Sequence, residues 1–277
     1  MSRYRLGIDI GGTFTDLHVM EEGTGRLYAL KTPSTREDPS LAVANGIEEL
    51  ERRYGIAPAD IAYFAHGTTL AVNTLLERNG AKAGVLMTKG FTDTLELRRL
   101  RLSKANDFFV PKPVSLVPRR RVKPIDERML ADGRVRKAIE REDVEVQVAA
   151  LLEDGIETLA ISFLHAHQNP AHEAQAKAWI EESFPDLYVC TSSEVWPQQR
   201  EYERSLISVI NAYVGRRMKA YFNTLERRTA GLGMTCRVFS TKSNGGVMAV
   251  SSAAERPVET LLSGPASGVI GAAYIGR

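Results

Sequence analysis

Apolar residues in the first third of the chain fall in short runs set apart by turn residues. From Tyr4 the runs YRLGIDI, DLHVMEE and RLYALKT, separated by the segment GGTFT and by a turn at Gly23 to Gly25, predict a β-meander. Polar breaker residues from Ser34 to Pro39 follow, and Leu41, Ala44, Ile47 and Leu50 then recur at helical spacing. IAYFAHG, TTLAVNTLLERNG, KAGVLMTKG and FTDTLELRR alternate strand, helix, strand, helix, the pattern of parallel βα units. Residues 103–123, with Pro111, Pro113 and Pro118, lack periodicity and are expected to form a loop or connector.

Beyond it, ERML and RVRKAI flank Asp132-Gly133, a hairpin signal. A second α/β layer follows: a helix near 141–154, strand TLAISFLHA, a helix from Ala171 to Ser183 and strand LYVCTSS. Leu206, Ile210, Val214, Met218, Tyr221 and Leu225 form a stripe of period 3.6, predicting one long central helix. The chain then reads as strand CRVFSTK, loop SNGGV, strand VETLLSG and a small-residue segment, PASGVIGAAYIG, that begins a helix.

Composition narrows the function classes. The 277 residues carry 36 Lys plus Arg against 34 Asp plus Glu, with 43% hydrophobic residues, which excludes a disordered or fibrous chain and suggests about two domains. A net charge of +2 leaves no overall footprint for nucleic acid. The basic clusters Arg98, Arg99, Arg101, Lys104 and Arg119, Arg120, Arg121, Lys123, with Phe108 and Phe109 between them, are accordingly expected to be solvated or subunit-facing loop. Cys190 and Cys236 lack CxxC spacing, which points to the cytoplasm and to neither a disulfide framework nor a zinc site. No 18-residue apolar run and no signal-peptide pattern occur, so no membrane partner is expected.

The strongest chemical signal is Asp9-Ile10-Gly11-Gly12-Thr13-Phe14-Thr15-Asp16. Glycines admit positive φ and close approach to an anion, successive N–H groups make a nest, and the Thr13 and Thr15 hydroxyls add donors. Asp9, at a strand end, is placed to hold hydrated Mg²⁺ against phosphate. The bland alternative is a plain hairpin turn; neither GxxxxGK[ST] nor GxGxxG occurs. His66-Gly67-Thr68-Thr69 is expected at a strand-to-helix junction, where helix N–H groups attract anions, the alternative being a capped helix beside a hydrogen-bonded histidine. Ser243-Asn244-Gly245-Gly246 and Ser263-Gly264-Pro265-Ala266 each follow a predicted strand, where ligands of open α/β sheets bind and where plain turns also occur. His165, His167 and His172 lack a further ligand at metal spacing, and no GxSxG elbow supports a serine triad.

Taken in order, DIGGTFTD, HGTT with Asn73, KGFTD, DER before the Asp-Gly turn, NPAHE, EYER with NAYV, SNGG and LLSGPASGVIGA resemble the A-type subunit of the hydantoinase/oxoprolinase family over the whole chain. That resemblance implies an α/β chain of actin-like, Hsp70-like and sugar-kinase-like ATPase fold: an N-terminal lobe, an α/β insertion and an incomplete second lobe. It divides the chain into a ribonuclease-H-like phosphate lobe at 1–102, a connector and α/β subdomain at 103–190, and a central helix with the start of the second lobe at 191–277. ATP and Mg²⁺ are the implied cofactors.

Asp9 is expected as metal ligand, with Asp9, Asp16 and His66 as catalytic residues. Gly11, Gly12, Thr13, Thr15, Gly67, Thr68, Thr69, Asn244, Gly245, Gly246, Ser263 and Gly264 are expected to bind cofactor. The implied activity is ATP-dependent activation of a cyclic amide, by phosphorylating its oxygen, in partnership with a B-type subunit. Alternatives are a ketone carboxylase subunit, in which bicarbonate is activated, a small-molecule kinase of the same superfold, and a non-catalytic assembly fragment. Family members are more than twice as long and carry a second phosphate loop beyond SGPA, so the 277 residues alone are expected to be weakly active or inactive. Val72 stands where the family more often has Thr, and 101–110 lacks the usual Arg-Pro and Tyr-Asp pattern.

Overall fold

The computed structural model describes residues 3–35, 37–99, 107, 109–110 and 113–276. Its strands, in chain order, are β1 (Tyr4–Ile10), β2 (Phe14–Glu21), β3 (Leu27–Pro33), β4 (Ile61–Thr68), β5 (Ala83–Thr88), β6 (Val122–Ile125), β7 (Arg128–Met129), β8 (Val135–Lys137), β9 (Thr158–Ser162), β10 (Tyr188–Thr191), β11 (Val238–Thr241) and β12 (Val247–Ala249). Its helices are α1 (Pro39–Tyr54), α2 (Leu70–Leu76), α3 (Thr94–Leu97), α4 (Arg141–Glu153), α5 (Ala171–Ser183), α6 (Ser192–Val195), α7 (Glu201–Gly231), α8 (Val250–Glu255) and α9 (Ser263–Ile275). No helix among the described residues is long and apolar enough to cross a membrane.

The chain forms two compact units: Met1–Arg78 with Arg217–Arg277, and Asn79–Arg216. Their limits cut across the segments expected from the sequence. β5, grouped with the first lobe on chain order, belongs to the second unit because it pairs in parallel with both β6 and β9. The long helix α7 contributes its first half to the second unit and its remainder to the first.

The first unit is built on a six-stranded sheet in the order β12-β11-β4-β1-β2-β3. The predicted meander is its antiparallel side, β1-β2-β3. β4 runs parallel to β1, and β11 parallel to β4. In β1 the alternation is strict: Leu6, Ile8 and Ile10 are buried, whereas Arg5, Gly7 and Asp9 are exposed. Period 2 therefore assigns the apolar side chains to the core and Asp9 to the opposite face. Helix α1 begins at Asp38, whose carboxylate accepts from Ser40 N at 3.2 Å, and ends at Gly55 in the left-handed region, φ 68°.

The second unit carries a parallel sheet in the order β10-β9-β5-β6, with β7 and β8 as the predicted small hairpin. β5 and β9 are buried along their whole length, as central strands of a covered parallel sheet must be. Leu86, Leu159, Ile161, Val148, Leu151 and Ile180 join sheet, α4 and α5 in one apolar cluster.

Two expectations fail locally. VETLL is not a strand: Pro257–Thr260 is a single 3₁₀ turn, closed by the Thr260 hydroxyl on Pro257 O at 2.8 Å, that leads into α9. The strand of this region is the shorter β12, antiparallel to β11. FTDTLELRR yields only the four-residue α3, which ends at Arg98 with φ 57°. Arg101, Lys104 and Phe108 lie outside the described residues. Of the other basic residues, Arg99 pairs with Glu203 at 2.5 Å, Arg119 with Asp93 at 2.5 Å and Arg120 with Asp154 at 3.4 Å.

Candidate functional site

The strands β1, β4 and β11 run parallel, so their C-terminal ends reach one edge of the sheet. The loops leaving that edge are Gly11–Thr13, Thr69 and Ser243–Gly246. This is the edge at which ligands of open α/β sheets bind.

The Gly-Gly loop is closed by Gly11 N donating to Phe14 O at 3.0 Å. Neither glycine has a positive φ, contrary to the expected reason for their presence. Gly11 is required by space: a Cβ there would stand 2.9 Å from Phe14 O. At Gly12 a Cβ would meet nothing within 4 Å, so its bareness leaves the loop open from outside. Among the described residues neither the Gly12 nor the Thr13 N–H meets a protein acceptor.

The two threonines differ. Thr13 is exposed, whereas Thr15 is buried with its hydroxyl 2.9 Å from that of Ser34. Ser34 in turn donates its only hydroxyl proton to Gly11 O at 2.8 Å, so Thr15 donates to Ser34. Ser34 N also reaches Thr13 O at 2.9 Å. Thr15 and Ser34 thus brace the loop from beneath. Ser34, taken from sequence as a mere breaker, is a site residue that only the fold reveals.

Asp9 and Asp16 face each other across β1 and β2. Partial burial of the Asp9 carboxyl, and secondarily the Asp16 charge, raise its pKa above the ordinary carboxylate value. Asp16 is bridged to Lys31 at 3.0 Å. Gly67 forms a floor beside this pair: a Cβ there would lie 3.4 Å from both Asp9 Oδ1 and Thr241 Oγ1. Among the described residues no group of three or more His, Cys, Asp or Glu side chains could hold a metal ion. Mg²⁺ needs no such group, since one or two carboxylates with phosphate and water suffice.

Beside the loop, wholly within the first unit, a cleft of about 310 Å³ is lined by Ile10, Gly11 and Gly12 and by Thr68, Thr69, Asn73, Glu77 and Arg217. Ile10 and Thr68 share the buried face of the sheet, so the cleft opens on the side opposite to Asp9. The Thr68 hydroxyl accepts from Leu70 N at 3.2 Å and that of Thr69 from Asn73 Nδ2 at 3.2 Å. The leading amide of α2, a helix of only seven residues, is thus already satisfied.

His66, expected as a catalytic residue, is instead a core residue. It is fully buried, its Nδ1 lies 3.0 Å from Phe239 O, and Phe64, Tyr221 and Phe222 surround its ring. A carbonyl partner fixes the proton on Nδ1. Burial lowers its pKa to about 4, so the ring is neutral at physiological pH.

The SNGG string packs against the turn that leads into SGPA. Gly245 N donates to Lys242 O at 2.9 Å with φ 84°, making a tight turn between β11 and β12. Asn244 accepts from Gly246 N at 3.1 Å. Ser243 donates its hydroxyl to Glu259 O at 2.8 Å and accepts from Leu262 N at 3.0 Å. Ser263 is buried, and nothing lies within 4 Å of a Cβ built on Gly264.

DER, NPAHE and EYER assemble elsewhere, in a buried polar network of the second unit. Glu127 of DER receives Thr88 and His172, the latter at 2.6 Å. Glu173 of NPAHE accepts from Phe163 N at 2.8 Å and from the hydroxyls of Ser192 and Ser193, each at 2.6 Å. Arg204 of EYER, fully buried, donates to Ser192 Oγ at 3.0 Å, Phe163 O at 2.9 Å and Gln198 O at 3.1 Å. Burial raises the Glu173 pKa and lowers that of Arg204.

Residues 5–184 match the family described as hydantoinase/oxoprolinase N-terminal region, and residues 204–277 match hydantoinase/oxoprolinase. The chain is 36% identical over 271 residues to the caprolactamase subunit alpha of Pseudomonas jessenii, a match covering 96% of this chain and 39% of that protein. The crystal structure of the ATP-dependent caprolactamase from Pseudomonas jessenii superposes with a TM-score of 0.86 at 35% identity, over 98% of this chain and 41% of that one. A nucleotide-free acetone carboxylase structure gives a TM-score of 0.88 at 24% identity, over 100% of this chain and 41% of that one, a likeness of fold. The chain spans about two fifths of the length of these relatives.

Proposed function

Because this chain belongs to the hydantoinase/oxoprolinase family and has its actin-like ATPase fold, we propose that it is part of the ATP-binding subunit of a cyclic-amide hydrolase, with residues 9–16 holding the phosphates of Mg-ATP. The observation that carries this reading is the pair of adjacent N–H groups, on Gly12 and Thr13, that meet no protein acceptor among the described residues, on a loop braced from beneath by Ser34. Two adjacent donors suit one phosphoryl group.

The carboxylates fit the metal. Asp9 is held partly desolvated beside Asp16, a combination that a divalent cation relieves. When bound, Mg-ATP supplies a transferable phosphoryl group that makes an unreactive amide carbonyl electrophilic. The chain's own part is to fix donors and carboxylates in place before the reaction, which is how phosphoryl transfer is chiefly accelerated. A hydrolase is favoured over a carboxylase because the caprolactamase subunit is 36% identical, whereas the acetophenone carboxylase gamma subunit is 28% identical. The subunit name of that caprolactamase relative supports a B-type partner here.

Titration calorimetry of Mg-ATP into the protein tests this reading. Gly12→Val is expected to weaken binding at least tenfold at unchanged melting temperature, and Asp9→Asn to remove the Mg²⁺ dependence. Equal affinity in wild type and both variants would exclude these residues, and phosphate appearing on a substrate hydroxyl would assign a kinase instead.

A further inference from the structure

One row of residues crosses the sheet of the first unit beside the glycine loop. Gly67, Asp9, Asp16 and Lys31 are successive register partners on β4, β1, β2 and β3. They lie on the face turned away from Leu6, Ile8 and Ile10, so three charges stand side by side outside the core. Resting on the reading above, we propose that Lys31 is a positioning residue: it holds Asp16 away from Asp9, so that the divalent cation meets a single carboxylate and is taken up together with nucleotide.

Asp16 stands between neighbours of opposite charge, Asp9 on β1 and Lys31 on β3. Repulsion from the first and attraction to the second act in the same direction, toward β3. Lys31 Nζ lies 3.0 Å from Asp16 Oδ1 and 5.3 Å from the centre of the Phe14 ring. Phe14 and Asp16 are two residues apart on one face of β2, so both hold the ammonium above that strand. The other flank of Asp9 has room. Gly67 leaves a recess there, in which a Cβ would stand 3.4 Å from both Asp9 Oδ1 and Thr241 Oγ1. Charge then decides what the recess can hold. Asp9 and Asp16 unopposed would form a two-carboxylate site that collects a bare divalent cation. With Lys31 the three groups carry one negative charge in all, and Mg²⁺ held by a single carboxylate takes its remaining ligands from phosphate and water. Lys31 belongs to no motif of the sequence, and only the register of β2 and β3 brings it to Asp16.

Mn²⁺ binding followed by electron paramagnetic resonance, with and without adenylyl imidodiphosphate, tests the assignment without turnover. Wild type is expected to bind Mn²⁺ at least tenfold more tightly with the nucleotide than without it. Lys31→Met should raise the nucleotide-free affinity at least fivefold and shrink the enhancement by a similar factor, because the two ligands' effects on each other are reciprocal. Lys31→Arg should keep the wild-type values. Against Asp16→Asn, adding Lys31→Met should gain nothing, since Lys31 acts through Asp16. The ion pair is largely exposed and contributes little to stability, so Lys31→Met should melt with wild type. Unchanged nucleotide-free affinity in Lys31→Met would overturn the proposal. So would a gain that persists without Asp16, which would make Lys31 a bare neighbouring charge. Asp9→Asn without effect on Mn²⁺ in either state would refute the reading of residues 9–16 and this inference with it, whereas an Asp9-dependent, nucleotide-enhanced cation that ignores Lys31 would refute this inference alone.

Discussion

Gly11 and Gly12 are neighbours with opposite reasons for lacking a side chain. A Cβ on Gly11 would press on Phe14 O at 2.9 Å, and that backbone oxygen is fixed by the Gly11 N–H itself. Gly11→Ala is expected to cost about 1–3 kcal/mol, as overpacking does. Gly12→Ala should stay within about 0.5 kcal/mol. Urea unfolding of the two variants decides it, and similar losses would show that the loop is not anchored as described. His66 yields a pH dependence whose sign follows from its lowered pKa. The unfolded chain takes up a proton near pH 6.5 and the folded one only near pH 4, so the unfolded state binds more protons in between and stability falls as pH drops through that window. The fall is on the order of 3 kcal/mol. His66→Phe should flatten the slope between those limits, whatever its own net stability. The role of His66 was hidden in the sequence because a strand-end histidine beside Gly-Thr-Thr looks alike whether its face turns to solvent or to α7. Asp9 was legible because strict alternation in β1 fixes its face.

At the scale of elements, the same physics made most of the fold readable. Meander, α1, α4, α5 and the stripe of α7 rest on periodicities of 2 and 3.6, which survive packing because burial created them. The misreadings are short segments. VETLL alternates like a strand, but Pro257 before it removes a backbone donor and starts a 3₁₀ turn. β12 is too short for any period to register. Gly46 shows where propensity and packing oppose each other. Within α1, replacing it by Ala should add about 1 kcal/mol of helix propensity. Its Cβ, however, would stand 2.7 Å from Leu17 Cδ2, and Leu17 is itself fully buried in β2. Gly46→Ala is therefore expected to destabilise the protein by about 1–2 kcal/mol net. A rise in melting temperature would mean that Leu17 has room to move.

At the scale of the molecule, the eight strings that carry the family resemblance divide between the two units. DIGGTFTD, HGTT, SNGG and SGPA belong to the first unit, and every residue of the loop and its cleft lies there. KGFTD, DER, NPAHE and EYER belong to the second unit, where the last three are hydrogen-bonded to one another's neighbours and buried. Sequence alone treats all eight as equal marks of one activity, because a buried network and a ligand site use the same polar residues. Arg204→Met tests the division. The substitution keeps the bulk but leaves Gln198 O without its donor, Phe163 O with only the Ala166 N–H at 3.4 Å and Glu173 without a nearby cation, and breaking a buried charged network costs roughly 3–5 kcal/mol. Hydrogen exchange should then rise in β9, β10 and α5 and stay slow in β1 and β4, with Mg-ATP affinity within twofold of wild type. If affinity instead fell in step with the lost protection, the network would be part of the nucleotide site and the two units could not be assigned separate tasks. If protection fell and affinity held, the second unit's motifs would be there for its own stability, leaving the phosphate chemistry to the sheet edge at which β1, β4 and β11 end.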